Sequence, residues 1–221
     1  KALGLRILKG KRAALTYTSE LHDAALEKFV RESVELADLA EPDELNYLPS
    51  PDELATSFPD LELWDESTSS ITAAEAIDQC RRAEAAARAY SPKVTNSDGA
   101  SFSRTVGAGA FANSVGFAGG VRGTYQSLVV EPICDDADGK KRNGFHWTGA
   151  RWKSALESPE AVGAEAARRT VAKLGAEKID TGKLPVIFDP DAARGLLRLL
   201  VGVISGGAIY RKSSYLLDRE G

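Results

Sequence analysis

The chain has 221 residues, 43% of them hydrophobic and 27% charged, with a formal net charge of -4. That length allows one large domain or two smaller ones with a sizeable core, and that balance excludes an intrinsically disordered polypeptide. The acidic excess disfavours a nucleic-acid backbone as ligand, because phosphate binding calls for a basic face.

In chain order, the runs 3–8 and 13–18 flank Lys9-Gly10-Lys11-Arg12. This spacing predicts a β-hairpin whose turn takes its positive φ at Gly10. Ser19 is a good N-cap, and Leu21, Ala25, Leu26, Phe29, Val30 and Val34 then recur at helical spacing to about Ala37. Between residues 41 and 63 the character changes. Pro42, Pro49, Pro51 and Pro59 punctuate an acidic run and exclude a continuous helix, so an extended surface linker is expected.

Thr72-Ala73-Ala74-Glu75 matches a capping box. It opens a helix to about Tyr90, with Ile71, Ala74, Ile77, Cys80 and Ala87 on its inward face. From Pro92 to Trp152 the pattern is that of strands, expected over 101–109, 116–123, 124–133 and 144–151. Turns are predicted at Asn96–Gly99 and Asn113–Gly116, and a polar loop over 135–144. Their glycines and aromatics imply a curved antiparallel sheet or a partly closed barrel. Pro159 opens a helix to about Leu174, with Val162, Ala166, Ala167 and Val171 inward. Residues 185–188 read as a short buried strand, and Asp189-Pro190-Asp191 as the cap of a helix over about 192–203 that ends at Gly206-Gly207. The fold class is α+β: a hairpin–helix layer, then a middle domain of curved antiparallel sheet flanked by helices, then the start of a further mixed domain. The expected divisions are 1–40, a linker over 41–68, 69–180 and 181–221.

Two cysteines, Cys80 and Cys134, are too few for a disulfide framework and suggest a reducing compartment. The most apolar stretch, Leu196–Ile209, is broken by Arg198, Gly202, Ser205, Gly206 and Gly207, short of a membrane span. Residues 1–10 hold no signal-peptide core. A cytoplasmic location with no membrane partner is therefore expected. The first residue is Lys1 and the chain holds no Met, which reads as part of a longer protein.

A zinc site needs three or four ligands from His, Cys, Asp or Glu. The histidines are His22, which reads as solvated beside Asp23, and His146. Cys134 and His146 lie twelve residues apart across a hairpin, so they are the one pair that could meet as a metal or nucleophile site. The favoured alternative keeps Cys134 as a strand residue and His146 packed beside Trp147. Asp135, Asp136 and Asp138 resemble the start of a calcium loop, but the twelfth position is His146 instead of Glu, so a solvated acidic loop is the better account. Gly107, Gly109, Gly116, Gly119, Gly120 and Gly123 make no phosphate loop. In Gly206–Ser214, glycine backbone allows close approach, and Arg211-Lys212 could hold a carboxylate, a peptide carbonyl or a partner's acidic residue. The bland reading is a glycine C-cap followed by a solvated turn.

That same segment, Gly206-Gly-Ala-Ile-Tyr-Arg-Lys-Ser-Ser214, resembles the TldD/PmbA family, once named modulators of DNA gyrase. So do Leu184–Phe188, Val162–Thr170, Thr95–Phe102 and Phe111–Gly116. The likeness is narrowest to its PmbA/TldE-type branch. It implies zinc peptidases acting on small or unfolded peptides, and a longer protein of which this chain is about half. In the catalytic TldD branch a His-Glu-x-x-x-His helix stands shortly before an Arg-Lys pair. Aligned on Arg211-Lys212, those ligand positions carry Arg198, Leu199 and Val203, a degenerate zinc motif. The resemblance therefore implies a non-catalytic subunit with no cofactor of its own, zinc being expected in a TldD-type catalytic partner. Gly206, Gly207, Tyr210, Arg211, Lys212 and Ser213 are the implied contacts to peptide substrate or partner, and a homo-oligomer is the other assembly allowed. A regulator of DNA gyrase acting through protein contacts, and a hydrolase built on Cys134 and His146, are the alternative readings.

Overall fold

The computed structural model describes residues 1–219, which fall into two units, 1–175 and the residues after them. In the first, β1 (Leu3–Lys9) and β2 (Arg12–Thr18) pair antiparallel, with Lys9 opposite Arg12. The two-residue turn is left-handed at both Gly10 (φ 55°) and Lys11 (φ 65°), the geometry that matches strand twist. Helix α1 (Asp23–Leu39) lies on the hairpin. Ser33 Oγ, buried in that contact, donates to the Phe29 carbonyl at 2.7 Å and stands 2.7 Å from Thr16 Oγ1, and Ala37 is fully buried. The helix starts later than Ser19 predicts. Thr18 Oγ1 accepts the Glu20 N–H at 3.1 Å and keeps the chain extended, so the N-cap is His22, whose Nδ1 accepts from the Ala25 amide at 3.3 Å. Leu21 and Val30 are consequently exposed, not inward.

The proline-punctuated stretch is irregular, as expected, and is tied to the hairpin. The Asp43 amide donates to the Lys11 carbonyl at 3.0 Å, and Arg6 donates to Asn46 Oδ1 at 3.1 Å. Its last residues are no linker. From Leu63 onward the chain joins the sheet, and the short helix α2 (Glu66–Ser69) packs there.

The central core sets α3 (Ala73–Tyr90) and α4 (Pro159–Val171) on one face of a sheet formed by β3 (Val94–Ala112), β4 (Ala118–Asp135), β5 (Lys141–Asn143) and β6 (His146–Ala150). β3 pairs one edge of β4, and β5 and β6 follow one another along the other edge, so the sheet is open and not a closed barrel. Every second residue of β4, from Gln126 through Leu128, Val130 and Pro132 to Cys134, is buried under the helices, the period-two pattern of a strand with one covered face. The helices contribute mostly alanines: Ala83, Ala87, Ala166 and Ala167 are fully buried. Such small side chains let the helix backbones approach closely. At Gly163 the approach is closest, since a Cβ there would stand 2.1 Å from the Ala83 carbonyl oxygen. Thr72 and Glu75 form the capping box of α3 as predicted. Its inward face, however, is rotated toward Cys80, Ala83 and Ala87, leaving Ala74 and Ile77 exposed.

The stretch 96–99 is not a turn. Ser97 Oγ accepts the Gly99 amide at 2.9 Å, and the chain absorbs the local kink as two bulges while β3 runs on, Gly99 adopting φ 108°. The expected strands 116–123 and 124–133 are one continuous β4. The turn at 113–116 holds. Asn113 Oδ1 accepts from the amides of Val115 and Phe117, and Gly116 sits at φ 104°.

In the second unit, residues 185–188 form no strand. Ile187 is 98% exposed, and among the described residues of this unit no strand lies beside it to take its backbone hydrogen bonds. Helix α5 (Pro190–Ile204) is capped by Asp189, which accepts the Asp191 amide at 3.0 Å. Gly206 and Gly207 open a second short helix, α6 (Gly206–Tyr210), instead of closing α5. No helix among the described residues is long and apolar enough to cross a membrane.

Candidate functional site

Ser205 ends α5 in extended backbone (φ -66°, ψ 138°) and caps α6, accepting the Ala208 amide at 3.3 Å. The chain leaves α6 through a tight reversal. Arg211, Lys212 and Ser213 amides donate to Gly207, Ile209 and Ala208 carbonyls at 3.2, 2.9 and 2.9 Å, and Ser213 Oγ adds a 3.2 Å bond to Ala208 O. Lys212 takes the left-handed φ of 55° that closes such a helix end, a conformation costly for a residue other than glycine. With the terminal carbonyls satisfied, what remains on offer is the side-chain chemistry of Tyr210, Arg211 and Lys212, all exposed. A Cβ at Gly207 would lie 3.5 Å from an Arg211 Nη, so the glycine leaves room for the guanidinium to lie over the helix start. Arg211 and Lys212 have no carboxylate partner among the described residues. The segment can donate to a carboxylate or a carbonyl, and it holds no His, Cys, Asp or Glu to serve as a general base or metal ligand.

The ligand positions that the family resemblance assigns to a zinc ion lie one helix earlier, on α5. Arg198 is a permanently protonated donor, and Leu199 and Val203 have hydrocarbon side chains. None offers a lone pair, so these residues do not fit a zinc ion.

The other constellation separates. On the sheet His146 pairs with Val130, four residues along β4 from Cys134, a span of about 13 Å at strand rise. Cys134 is buried in the core, and that burial, with Asp135 nearby, pushes its thiol pKa up, against a smaller opposing pull from Lys93. His146 Nε2 lies 3.1 and 3.2 Å from the two Glu157 oxygens, while its buried Nδ1 has no hydrogen-bond partner among the described residues. The acidic loop is structural. Asp135 pairs with Lys141, and Asp136 accepts from Arg142 at 2.6 Å and from the amides of Ala137 and Gly175 at 2.9 and 3.1 Å. Among the described residues no three His, Cys, Asp or Glu side chains cluster.

Sequence reasoning missed Asp65, which knits the central unit together. Its buried carboxylate accepts from the amides of Lys153 (2.8 Å) and Ser67 (3.0 Å) and from the hydroxyls of Ser67 and Thr68. Thr68 Oγ1 in turn accepts from Gln126 Nε2 at 2.9 Å, and the Asp65 amide donates to Thr124 Oγ1 at 2.9 Å. The available signal was an Asp followed by Ser67 and Thr68, an N-cap pattern hidden in acidic surroundings. The Lys153 amide and the Ser67 hydroxyl hold the Asp65 carboxyl far below the usual carboxylate range, and Arg142 holds Asp136 down to about 2. Groups with depressed folded pKa values stabilise fully above the unfolded value and lose that contribution as pH falls through the folded one. Denaturant titrations are therefore expected to show stability falling as pH drops from about 4 toward 2, more weakly in Asp136→Asn than in the wild type.

Most of the residues just described fall inside two family profiles, Asp65 standing just before the first. Residues 66–174 match the PmbA/TldA metallopeptidase central domain, and residues 181–221 match the C-terminal domain of the same family. Among curated relatives, Metalloprotease PmbA of Escherichia coli O157:H7 is 36% identical over 220 residues, and the PmbA homolog of Haemophilus influenzae 33% over 220. Each alignment takes in all of this chain but 48% of the relative, so the chain spans about half their length. Solved structures share the fold. A candidate modulator of DNA gyrase from Bacteroides thetaiotaomicron matches with a TM-score of 0.87 at 22% identity, over 98% of this chain and 49% of that one. TldE from Thermococcus kodakarensis matches with a TM-score of 0.78 at 18% identity, over 100% and 49%. The order of elements, the two domain matches and the identity to the PmbA proteins agree, and the chain belongs to the PmbA/TldD metallopeptidase family.

Proposed function

We propose that this chain is part of a non-catalytic subunit that pairs in the cytoplasm with a zinc-carrying subunit of the same family, the two together cutting small or unfolded peptides. The observation that carries this reading is the chemistry of α5. Where the catalytic branch places His, Glu and His, this chain has Arg198, Leu199 and Val203, and no rotamer of those side chains supplies a metal ligand. The exposed Arg211-Lys212 pair, on the reversal after α6, then serves the bound peptide, donating to its carboxylate or carbonyl oxygens.

The test mixes two purified proteins. The full-length natural protein alone is expected to leave an unstructured peptide intact, and addition of the catalytic-branch subunit to produce cleavage that a chelator abolishes. Chelator-sensitive cleavage by the lone protein would refute the reading.

The description of the Bacteroides thetaiotaomicron fold neighbour favours a second reading, regulation of DNA gyrase. With a net charge of -4 this would act through protein contacts and not through DNA. Capture of purified gyrase at micromolar concentration, without any peptidase subunit, supports it, and failure to capture counts against it.

A further inference from the structure

Beyond the Gln126–Ala150 pair, where β6 ends, β3 and β4 run on as a two-stranded arm to the Asn113–Gly116 turn. An isolated two-stranded ribbon is marginally stable in water, so the order of this arm calls for a further support. Residues 58–64, the end of the proline-punctuated stretch, supply one by running along a face of β4. Gly119 and Gly123 lie four residues apart on that strand and so open the same face. A Cβ at Gly119 would stand 3.1 Å from Phe58 Cζ, and one at Gly123 would stand 3.5 Å from the Leu63 carbonyl oxygen and 3.9 Å from Leu63 Cβ. On β3, a Cβ at Gly107 or Gly109 would meet nothing within 4 Å, so the track follows β4 alone.

The two ends of this segment are held differently. At the root of the arm the Thr124 amide donates to the Leu63 carbonyl at 2.9 Å, and Trp152 Nε1 donates to the Glu62 carbonyl at 3.0 Å. There too the Arg122 guanidinium lies 4.4 Å from the centre of the Trp64 ring. At the tip the hold is a single ring. Phe58 meets Phe117 edge-on with centroids 5.7 Å apart, and Phe117 stands 5.8 Å from Phe111, so the three rings reach both sides of the turn. Among the described residues no hydrogen bond joins residues 55–61 to the arm, and Phe58 stays 61% exposed, gripped from one side. Between the two ends Glu62 takes a left-handed φ of 51°, a conformation costly for a residue other than glycine.

We propose that residues 58–64 are a releasable strap, with Phe58 as its catch, that switches the arm tip, residues 109–121, between a clasped and a free state. The bonds at Glu62 and Leu63 keep the strap rooted in both states. One edge-on aromatic contact shifts such an equilibrium only severalfold, so the tip opens while the rest of the unit stays folded. The strap also connects the tip to the hairpin layer. Upstream in the same stretch the Asp43 amide and Asn46 Nδ2 both donate to the Lys11 carbonyl at 3.0 Å, so a shift of the hairpin is carried to the catch through residues 47–57. The strap does not depend on the division of labour proposed above.

The test follows amide hydrogen exchange by mass spectrometry on the full-length natural protein. In Phe58→Ala, residues 109–121 are expected to exchange about fivefold faster, with residues 125–134 unchanged. Leu61→Ala, on an exposed strap residue outside the catch, is expected to exchange as the wild type does. Phe117→Ala is expected to loosen the tip as well, and Phe58→Ala to add nothing in that background, because both remove the same ring contact. Tip exchange in Phe58→Ala equal to that of the wild type overturns the proposal. So does acceleration spread evenly over residues 94–135, the mark of lost global stability, or a Phe58→Ala effect that persists in full beside Phe117→Ala.

Discussion

Gly163→Leu is expected to abolish folding of residues 1–175, and Gly163→Ala to destabilise them by about 3 kcal/mol, at the upper end of what overpacking a core costs. The larger effect follows from what the new side chain would meet. At Gly163 the nearest atom is not the flexible end of a side chain but the carbonyl oxygen of Ala83, 2.1 Å from where a Cβ would sit, with the Ala86 methyl 3.0 Å away. Relief requires α3 and α4 to separate. That separation loosens Ala83, Ala87, Ala166 and Ala167, which fill the space between helices and sheet. A single methyl can be accommodated by a small shift, and an isobutyl group cannot. Urea titration followed by far-UV circular dichroism reads both variants. Wild-type stability in Gly163→Leu would mean that the two helices are not in contact there.

The second large effect is kinetic. Arg211→Ala/Lys212→Ala is expected to raise the KM for peptide about tenfold in the assembled peptidase while kcat changes little, the pattern of an interaction made equally with bound substrate and transition state. Both cations are exposed, neither has a carboxylate partner among the described residues, and the fold of the reversal rests on backbone bonds and Ser213, not on them. Their removal should therefore leave stability unchanged. If the two instead contact the partner subunit, pairing is lost and no KM can be measured, so the outcomes separate cleanly.

The parts of this architecture that were legible in the sequence are those governed by local rules. The Lys9–Arg12 turn, the Thr72–Glu75 capping box, the Asn113–Gly116 turn and the inward stripe of Val162, Ala166 and Ala167 each depend on residues within a few positions, and each is found as expected. Four features were not legible, three of them because they depend on distant partners and the Ser19 N-cap because a neighbouring hydroxyl competes with it. Asn96–Gly99 carries a strong turn signal, but the pairing of β3 with β4 on both sides of it absorbs the kink as bulges. Ser19 loses the N-cap role because Thr18 holds the Glu20 amide. Residues 185–188 are apolar enough for a buried strand, yet strand formation requires a neighbour that the described residues of this unit do not supply. Asp65 gathers its donors from Ser67, Thr68 and the far-off Lys153, a convergence that no spacing announces. For the candidate site, the chemistry of Arg198, Leu199 and Val203 could be read directly. The way Gly206 and Gly207 open α6, with Arg211 laid over Gly207, required coordinates.

Zinc content by mass spectrometry, measured on the full-length natural protein alone and again after assembly with a catalytic-branch subunit, tests the proposed division of labour. No bound zinc is expected in the lone protein and about one zinc per pair in the complex, as a single three-ligand catalytic site requires. Stoichiometric zinc in the lone protein would contradict it.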